Sequence, residues 1–328
     1  MHVPSQSHEP FALVLAGGGA RGLAHAGVLR ALEHDGYRPS ALVGVSMGAV
    51  VAVTYGLNPR WYEGLLGMDT RGFPRPYSAS DHAFRERLRA AVALGSTVRD
   101  MILGWGVGGR ALPRGRRLLY DLTLGGALEE CRLPVAVAAT DLLSGKQTIL
   151  TQGDAARAAY ASSALAGILP PLPWGDMLLA DGAYSDIAPT KVARELVPQR
   201  VVAVDVGLPL DAPPRLRNGV QTLARALEIC HARHAHLLFE QADIVLRPEF
   251  PVPIHALDFS RKRTAVAAGV RAVRSQRTTL ARLLAGETGV GPVESRLPPR
   301  DQLPKRRPPR PSDPAGGAEL GARRYEVN

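Results

Sequence analysis

Short apolar runs alternate with stretches that carry apolar residues at helical spacing, and this order predicts an α/β fold with a mainly parallel sheet. "FALVLAG" (11–17) reads as a strand, and "ARGLAHAGVLRALEHDG" (20–36) as a helix closed by Asp35-Gly36. "SALVGVS" (40–46) reads as a second strand and "MGAVVAVTYG" (47–56) as a second helix. From Asn58 to about Glu130 the pattern loosens, with helices expected over "DHAFRERLRAAVAL" (81–94) and "RRLLYDLTLGGALEE" (116–130).

Regularity returns at "LPVAVAATDLLSGKQTIL" (133–150), two apolar runs around "DLLSGK" that predict strand, turn, strand. A helix over "DAARAAYASSAL" (154–165), a rigid connection "ILPPLPWGD" (168–176) and a short strand "MLLADG" (177–182) follow. A helix is then expected from near Pro189, a strand over "RVVAVDVG", a helix over "GVQTLARALEICHARHAHLLFEQA", a strand over "DIVLRPE" and one last helix over 261–284. Three regions result: a flexible start (1–10), a folded domain (11–285) and a Pro/Arg-rich tail (286–328) too poor in apolar residues to pack.

No charge occurs from Ser40 to Pro59, a run approaching the length of a bilayer span. A strand, a tight turn and a buried helix produce the same run, and the interrupting glycines and polar residues favour that reading over a membrane helix. The first ten residues carry no positive n-region, so no secretory signal is expected. Cys131 and Cys230 form no disulfide framework or metal-ligand cluster; a reducing cytoplasm is the default, with both thiols expected to be buried. The net charge of +10 comes almost wholly from arginine, with lysine only at 146, 191, 262 and 305. Abundant Arg, Ala, Gly and Pro point to a bias of composition, and with no nucleic-acid motif present, nucleic acid is not an expected partner.

Two local motifs carry the chemistry. "GGGARG" (17–22) satisfies G-x-G-x-x-G through Gly17, Gly19 and Gly22, after a strand and before a helix. A dinucleotide site also wants an acidic residue at the end of the second strand, but that strand ends at Ser46, and Asp35 lies in the turn before it. Gly44-Val45-Ser46-Met47-Gly48 matches G-x-S-x-G in a strand-to-helix context, which exposes a serine on a sharp turn. The glycine loop then acquires a second use, because exposed backbone amides next to that serine can form an oxyanion hole.

A serine nucleophile needs a base. Nine histidines are present. A Ser-Asp-His order could use Ser46, Asp181 or Asp205, and His255 or one of His231, His234 and His236, the first two sharing a helix face. None of these histidines has a strand-end or glycine-flanked context. Asp181 does, in "LLADGAYSDIAP", where a carboxylate can be exposed at the rim of the sheet.

Four stretches in order, "GGGARG", "GVSMG", "ASSALAGILPP" (161–171) and "DGA" (181–183), resemble the patatin-like phospholipase family over about residues 11–275. The resemblance implies a three-layer α/β/α domain with a mainly parallel sheet and a Ser-Asp dyad, Ser46 as nucleophile and Asp181 as base. It further implies an oxyanion hole from Gly17, Gly18 and Gly19, with Arg21 and Gly22 supporting the loop and Gly44 and Gly48 flanking the nucleophile. Expected substrates are phospholipids or lysophospholipids, hydrolysed through an acyl-serine with no cofactor and no metal. Ala166 stands where a proline is common in the third stretch. The chain looks like a compact bacterial-type member, expected in the cytoplasm with peripheral contact at the inner membrane face. Trp61, Tyr62, Phe73, Tyr77 and Trp105 either cover the acyl site or belong to a connecting layer, and the basic tail would add attraction to anionic lipid.

Overall fold

The computed structural model describes residues 8–70, 111–166, 169–207, 219–256 and 258–287. The expected helix over 81–94, the aromatics Phe73, Tyr77 and Trp105, and the tail beyond 287 lie outside the described residues.

The strands are β1 (Phe11–Leu15), β2 (Ala41–Val45), β3 (Val135–Asp141), β4 (Gln147–Leu150), β5 (Leu172–Trp174), β6 (Met177–Asp181), β7 (Arg200–Val204) and β8 (Ile244–Leu246). They form one sheet in the order β5-β6-β3-β2-β1-β7-β8, with β4 also paired to β3. The run β3-β2-β1-β7-β8 is parallel, while β4, β5 and β6 add antiparallel pairs at the β3 end. The helices are α1 (Ala24–His34), α2 (Met47–Leu57), α3 (Trp61–Gly67), α4 (Ala111–Thr123), α5 (Ala155–Ser162), α6 (Thr190–Leu196), α7 (Gly219–Leu238), α8 (Lys262–Ser275) and α9 (Arg277–Leu284).

Both faces of the central strands are covered, which is why they read as continuous apolar runs. On β1, Phe11, Leu13 and Leu15 enter a core shared with α1, α2, α5 and α8, while Ala12, Val14 and Ala16 face a smaller one with α6 and the end of α7. These are the three layers expected. The uncharged run 40–59 resolves into β2, a turn and α2, and no described helix is long and apolar enough to cross a membrane.

Several expectations need correction. The proline-rich 168–176 stretch contains β5, an edge strand paired only with β6, where Pro173 lacks an N–H at little cost. The helix expected over 116–130 starts earlier and ends at Thr123, because Leu124 and Gly125 turn left-handed. The last helix is divided at Gln276 into α8 and α9. Neither thiol is fully buried: Cys131 is half-buried beside Gly56 of α2, and Cys230 on α7 is exposed. Of the two readings for Trp61 the connecting layer fits, since the residue is buried in the core 5.1 Å from the Tyr55 ring.

Helices α1 and α8 cross in backbone contact. A Cβ on Gly27 would lie 1.9 Å from the Val266 carbonyl oxygen, and one on Gly269 would lie 1.9 Å from that of Ala24. Gly269→Ala should therefore force the helices apart and destabilise the fold by about 3 kcal/mol. Gly67→Ala, with open space around the added methyl, should stay within about 0.5 kcal/mol of wild type. Thermal melts of the two variants would separate steric overlap from a general intolerance of alanine.

Candidate active site

Ser46 joins β2 to α2 at φ 54° and ψ −124°, a conformation that costs a non-glycine residue about 1–3 kcal/mol. The turn is so tight that a Cβ on Gly48 would come within 2.0 Å of the Leu15 carbonyl oxygen, so only glycine lets α2 start against the end of β1. Gly44 is equally confined, its missing Cβ lying 2.5 Å from Ala49 Cα.

Asp181 reaches Ser46 through strand pairing. β4 runs along one edge of β3, and along the other edge β2 and β6 meet end to end: Val45 pairs with Ala138, and Asp181 with Ala139. The parallel strand ends in the serine and the antiparallel one in the aspartate. Ser46 Oγ donates to Asp181 Oδ2 at 2.7 Å. The other carboxylate oxygen accepts from the Ala183 amide at 3.0 Å, and the Asp181 amide donates to the Ala164 carbonyl at 3.1 Å.

Asp181 is only 4% exposed, which corrects the expectation of a carboxylate open at the rim. Burial raises its pKa from 3.8 to about 6, against the lowering effect of the Ala183 and Ser46 hydrogen bonds. A carboxylate near 6 is a far better proton acceptor than an exposed one, and it is still ionised at neutral pH.

The glycine loop follows β1 and passes beside the serine. Of the three glycines expected as oxyanion donors, Gly17 donates its amide to the Ile187 carbonyl at 3.2 Å. Among the described residues no acceptor takes the Gly18 or Gly19 amide. Gly19 has φ 56° and sits under the 254–256 segment, where Ala20 donates to the Ala256 carbonyl at 2.6 Å. Arg21 is 7% exposed and braces the loop from behind, donating through Nε to Val206 (2.9 Å) and through Nη1 to Ile254 (3.0 Å) carbonyl oxygens. Gly22 lies against Met47, tying the loop to the start of α2.

Sequence reasoning missed two residues here. His25, fully buried, donates from Nε2 to the Ala16 carbonyl at 2.8 Å, and burial lowers its pKa to about 4, so it is neutral and holds the end of β1. Ser162, also fully buried, accepts from the Ser46 amide. Ser162 falls within the third family-like stretch (161–171), but neither it nor His25 sits in a local pattern that tells which backbone group it bonds.

The alternative bases are placed elsewhere. His255 is exposed, and Asp205 accepts from the Gly207 amide and pairs with Arg247. His231 stands 6.1 Å from the Tyr184 ring, and with Ala183, Tyr184, Ser185, Ile187 and Cys230 it lines a cavity of about 270 Å3 next to the Asp181 turn. The side chains of His234 and His236 lie outside the described residues. Among the described residues no three His, Cys, Asp or Glu side chains cluster as metal ligands.

The family model for patatin-like phospholipase matches residues 13–194. The lysophospholipase NTE1 of Cryptococcus neoformans var. neoformans serotype D is 31% identical over 207 residues, covering 63% of this chain and 12% of that protein. The human patatin-like phospholipase domain-containing protein 6 is 31% identical over 199 residues, covering 60% of this chain and 13% of that protein. The chain thus spans a small part of the length of these curated relatives. Among solved structures, VipD from Legionella pneumophila aligns with a TM-score of 0.36 at 15% identity, over 82% of this chain and 67% of that one. Because the family model takes in more than half of the chain, including both the Ser46 turn and Asp181, this protein belongs to the patatin-like phospholipase family.

Proposed function

We propose that the chain is a serine lipid acyl hydrolase that cleaves carboxylic esters of phospholipids or lysophospholipids through a Ser46-Asp181 dyad. The observation that carries the reading is the 2.7 Å hydrogen bond from Ser46 Oγ to a buried carboxylate whose pKa is raised to about 6. The substrate class rests on the family and on relatives named as lysophospholipases.

Ser46 Oγ attacks the acyl carbonyl carbon as its proton passes to Asp181 Oδ2. The carbonyl oxygen becomes the oxyanion and is stabilised by the Gly18 and Gly19 amides, with the N-terminal end of α2 adding its positive dipole. Collapse of the intermediate breaks the ester C–O bond, and Asp181 returns the proton to the leaving alkoxide. Water then attacks the acyl-serine, gives a proton to Asp181, and the fatty acid leaves as Ser46 regains that proton. Peripheral contact with a membrane surface would present such substrates to the site.

Ser46→Ala and Asp181→Asn should each lower kcat/KM on a p-nitrophenyl ester and on a lysophospholipid by at least about a thousandfold. His231→Ala and His255→Ala should stay within roughly threefold of wild type. Full esterase activity in the folded Ser46→Ala protein would remove the nucleophile, and loss in a histidine variant would remove the dyad.

The pH dependence follows from the same carboxylate. Below about pH 6, kcat/KM should fall with a slope near one as Asp181 takes up a proton. Because the folded-state pKa lies above the ordinary 3.8, the folded protein holds this proton more tightly than the unfolded chain does. Its contribution to stability is full below about pH 4 and is lost as the pH rises through 6. Asp181→Asn should thus be more stable than wild type at pH 8, by on the order of 3 kcal/mol, and show no such gain at pH 4. Melting curves across that range check the sign independently of activity.

A further inference from the structure

We propose that Ser162 is a positioning residue for the nucleophile: its hydroxyl clamps the Ser46 amide to β3 and thereby sets Ser46 Oγ against Asp181. The inference rests on the dyad reading above, and it assigns a role to a residue that touches neither substrate nor the reacting oxygen.

The β2-β3 ladder sets the pattern. In its parallel register Leu42 pairs with Val135 and donates its amide to the Pro134 carbonyl, one residue back on β3. Stepping by two along both strands, the same pattern leads from Gly44 to Ala136 and then from Ser46 to Ala138. At that last position the direct bond is replaced by a hydroxyl. The Ser46 amide donates to Ser162 Oγ at 2.8 Å, and Ser162 Oγ donates to the Ala138 carbonyl at 2.6 Å.

An interposed hydroxyl solves a specific problem. The chain leaves the strand at Ser46, whose φ is 54°, and the direct ladder bond is not made there, yet the Ser46 amide and the buried Ala138 carbonyl both need partners. Serine can accept one hydrogen bond and donate another from a single atom, so the ladder continues through it while the chain turns. Alanine can do neither.

The location of Ser162 extends its effect to the base. It is the last residue of α5, and two residues later the Ala164 carbonyl accepts the Asp181 amide at 3.1 Å. The 162–164 segment therefore holds the backbone of both dyad members. Losing the clamp frees the strained turn at one end of a gap whose other end stays fixed.

The test compares wild type, Ser162→Ala and Ser162→Thr in three readouts: p-nitrophenyl butyrate kinetics normalised to sites labelled by a fluorophosphonate, the pH profile, and hydrogen exchange at the Ser46 amide. In Ser162→Ala, kcat per labelled site should fall about a hundredfold, the scale of a small misplacement of reacting groups. KM should move by no more than roughly threefold. The acid limb of kcat/KM should shift upward, since the Ser46 hydrogen bond is one of the contacts that hold the Asp181 value down. The Ser46 amide should exchange roughly tenfold faster, and Ser162→Thr, which keeps the hydroxyl, should restore most of the protection.

A Ser162→Ala protein with kcat per labelled site within roughly threefold of wild type and an unmoved acid limb would overturn the proposal, even with a lower melting temperature. Unchanged exchange at the Ser46 amide would overturn it as well. If wild type itself is neither labelled at Ser46 nor active, it is the hydrolase reading that fails, and the amide exchange still decides whether Ser162 pins the turn.

Discussion

The site depends on β3 serving as the common rail for two strands that stop against each other. On one edge of β3 the parallel β2 ends at Val45 and the antiparallel β6 ends at Asp181, facing consecutive residues Ala138 and Ala139. Strand registers are stiff, because a slip of one residue would move every side chain to the opposite face and exchange the large core for the smaller one. The meeting of the two strand ends is thus as well determined as the core itself, and the 2.7 Å contact between Ser46 and Asp181 inherits that precision.

The remaining machinery keeps this junction tight and dry. Gly48 lets α2 begin against Leu15, which fixes the serine in its strained turn. Arg21 ties the glycine loop to the segments after β7 and β8, and His25, neutral in the core, holds the Ala16 carbonyl just before that loop. The Gly17 amide is engaged by the Ile187 carbonyl, whereas no acceptor among the described residues takes the Gly18 or Gly19 amide. Burial that raises the Asp181 pKa to about 6 also destabilises its ionised form, so this carboxylate is kept at some expense to the fold.

Much of the fold was legible in sequence because its signals are local. Phe11–Leu15, Ala41–Val45 and Arg200–Val204 are apolar runs of strand length, and Asp154 caps the helix after it through its side chain. Signals failed where neighbours decide the outcome. Pro173 argued for a connection at 168–176, but an edge position beside β6 made a strand of it. The exposure of Cys230 depends on which side of α7 faces the second core, and the half-burial of Cys131 on its contact with α2.

The sequence by itself determined the turn at Ser46 and the strand-end aspartate, since G-x-S-x-G and an apolar run closed by Asp-Gly are contiguous patterns with a local steric cause. It also determined the glycine loop as a source of backbone donors. Only the tertiary structure decided that the Ser46 hydroxyl bonds the Asp181 carboxylate, because the two lie 135 residues apart and meet through their shared partner β3. It alone decided which loop amides find an acceptor among the described residues, that His25 bonds the Ala16 carbonyl and Ser162 the Ser46 amide, and that Asp181 is buried. Hydrogen-bond partners and desolvation are properties of neighbours in space, and periodicity along the chain does not encode which neighbours those are.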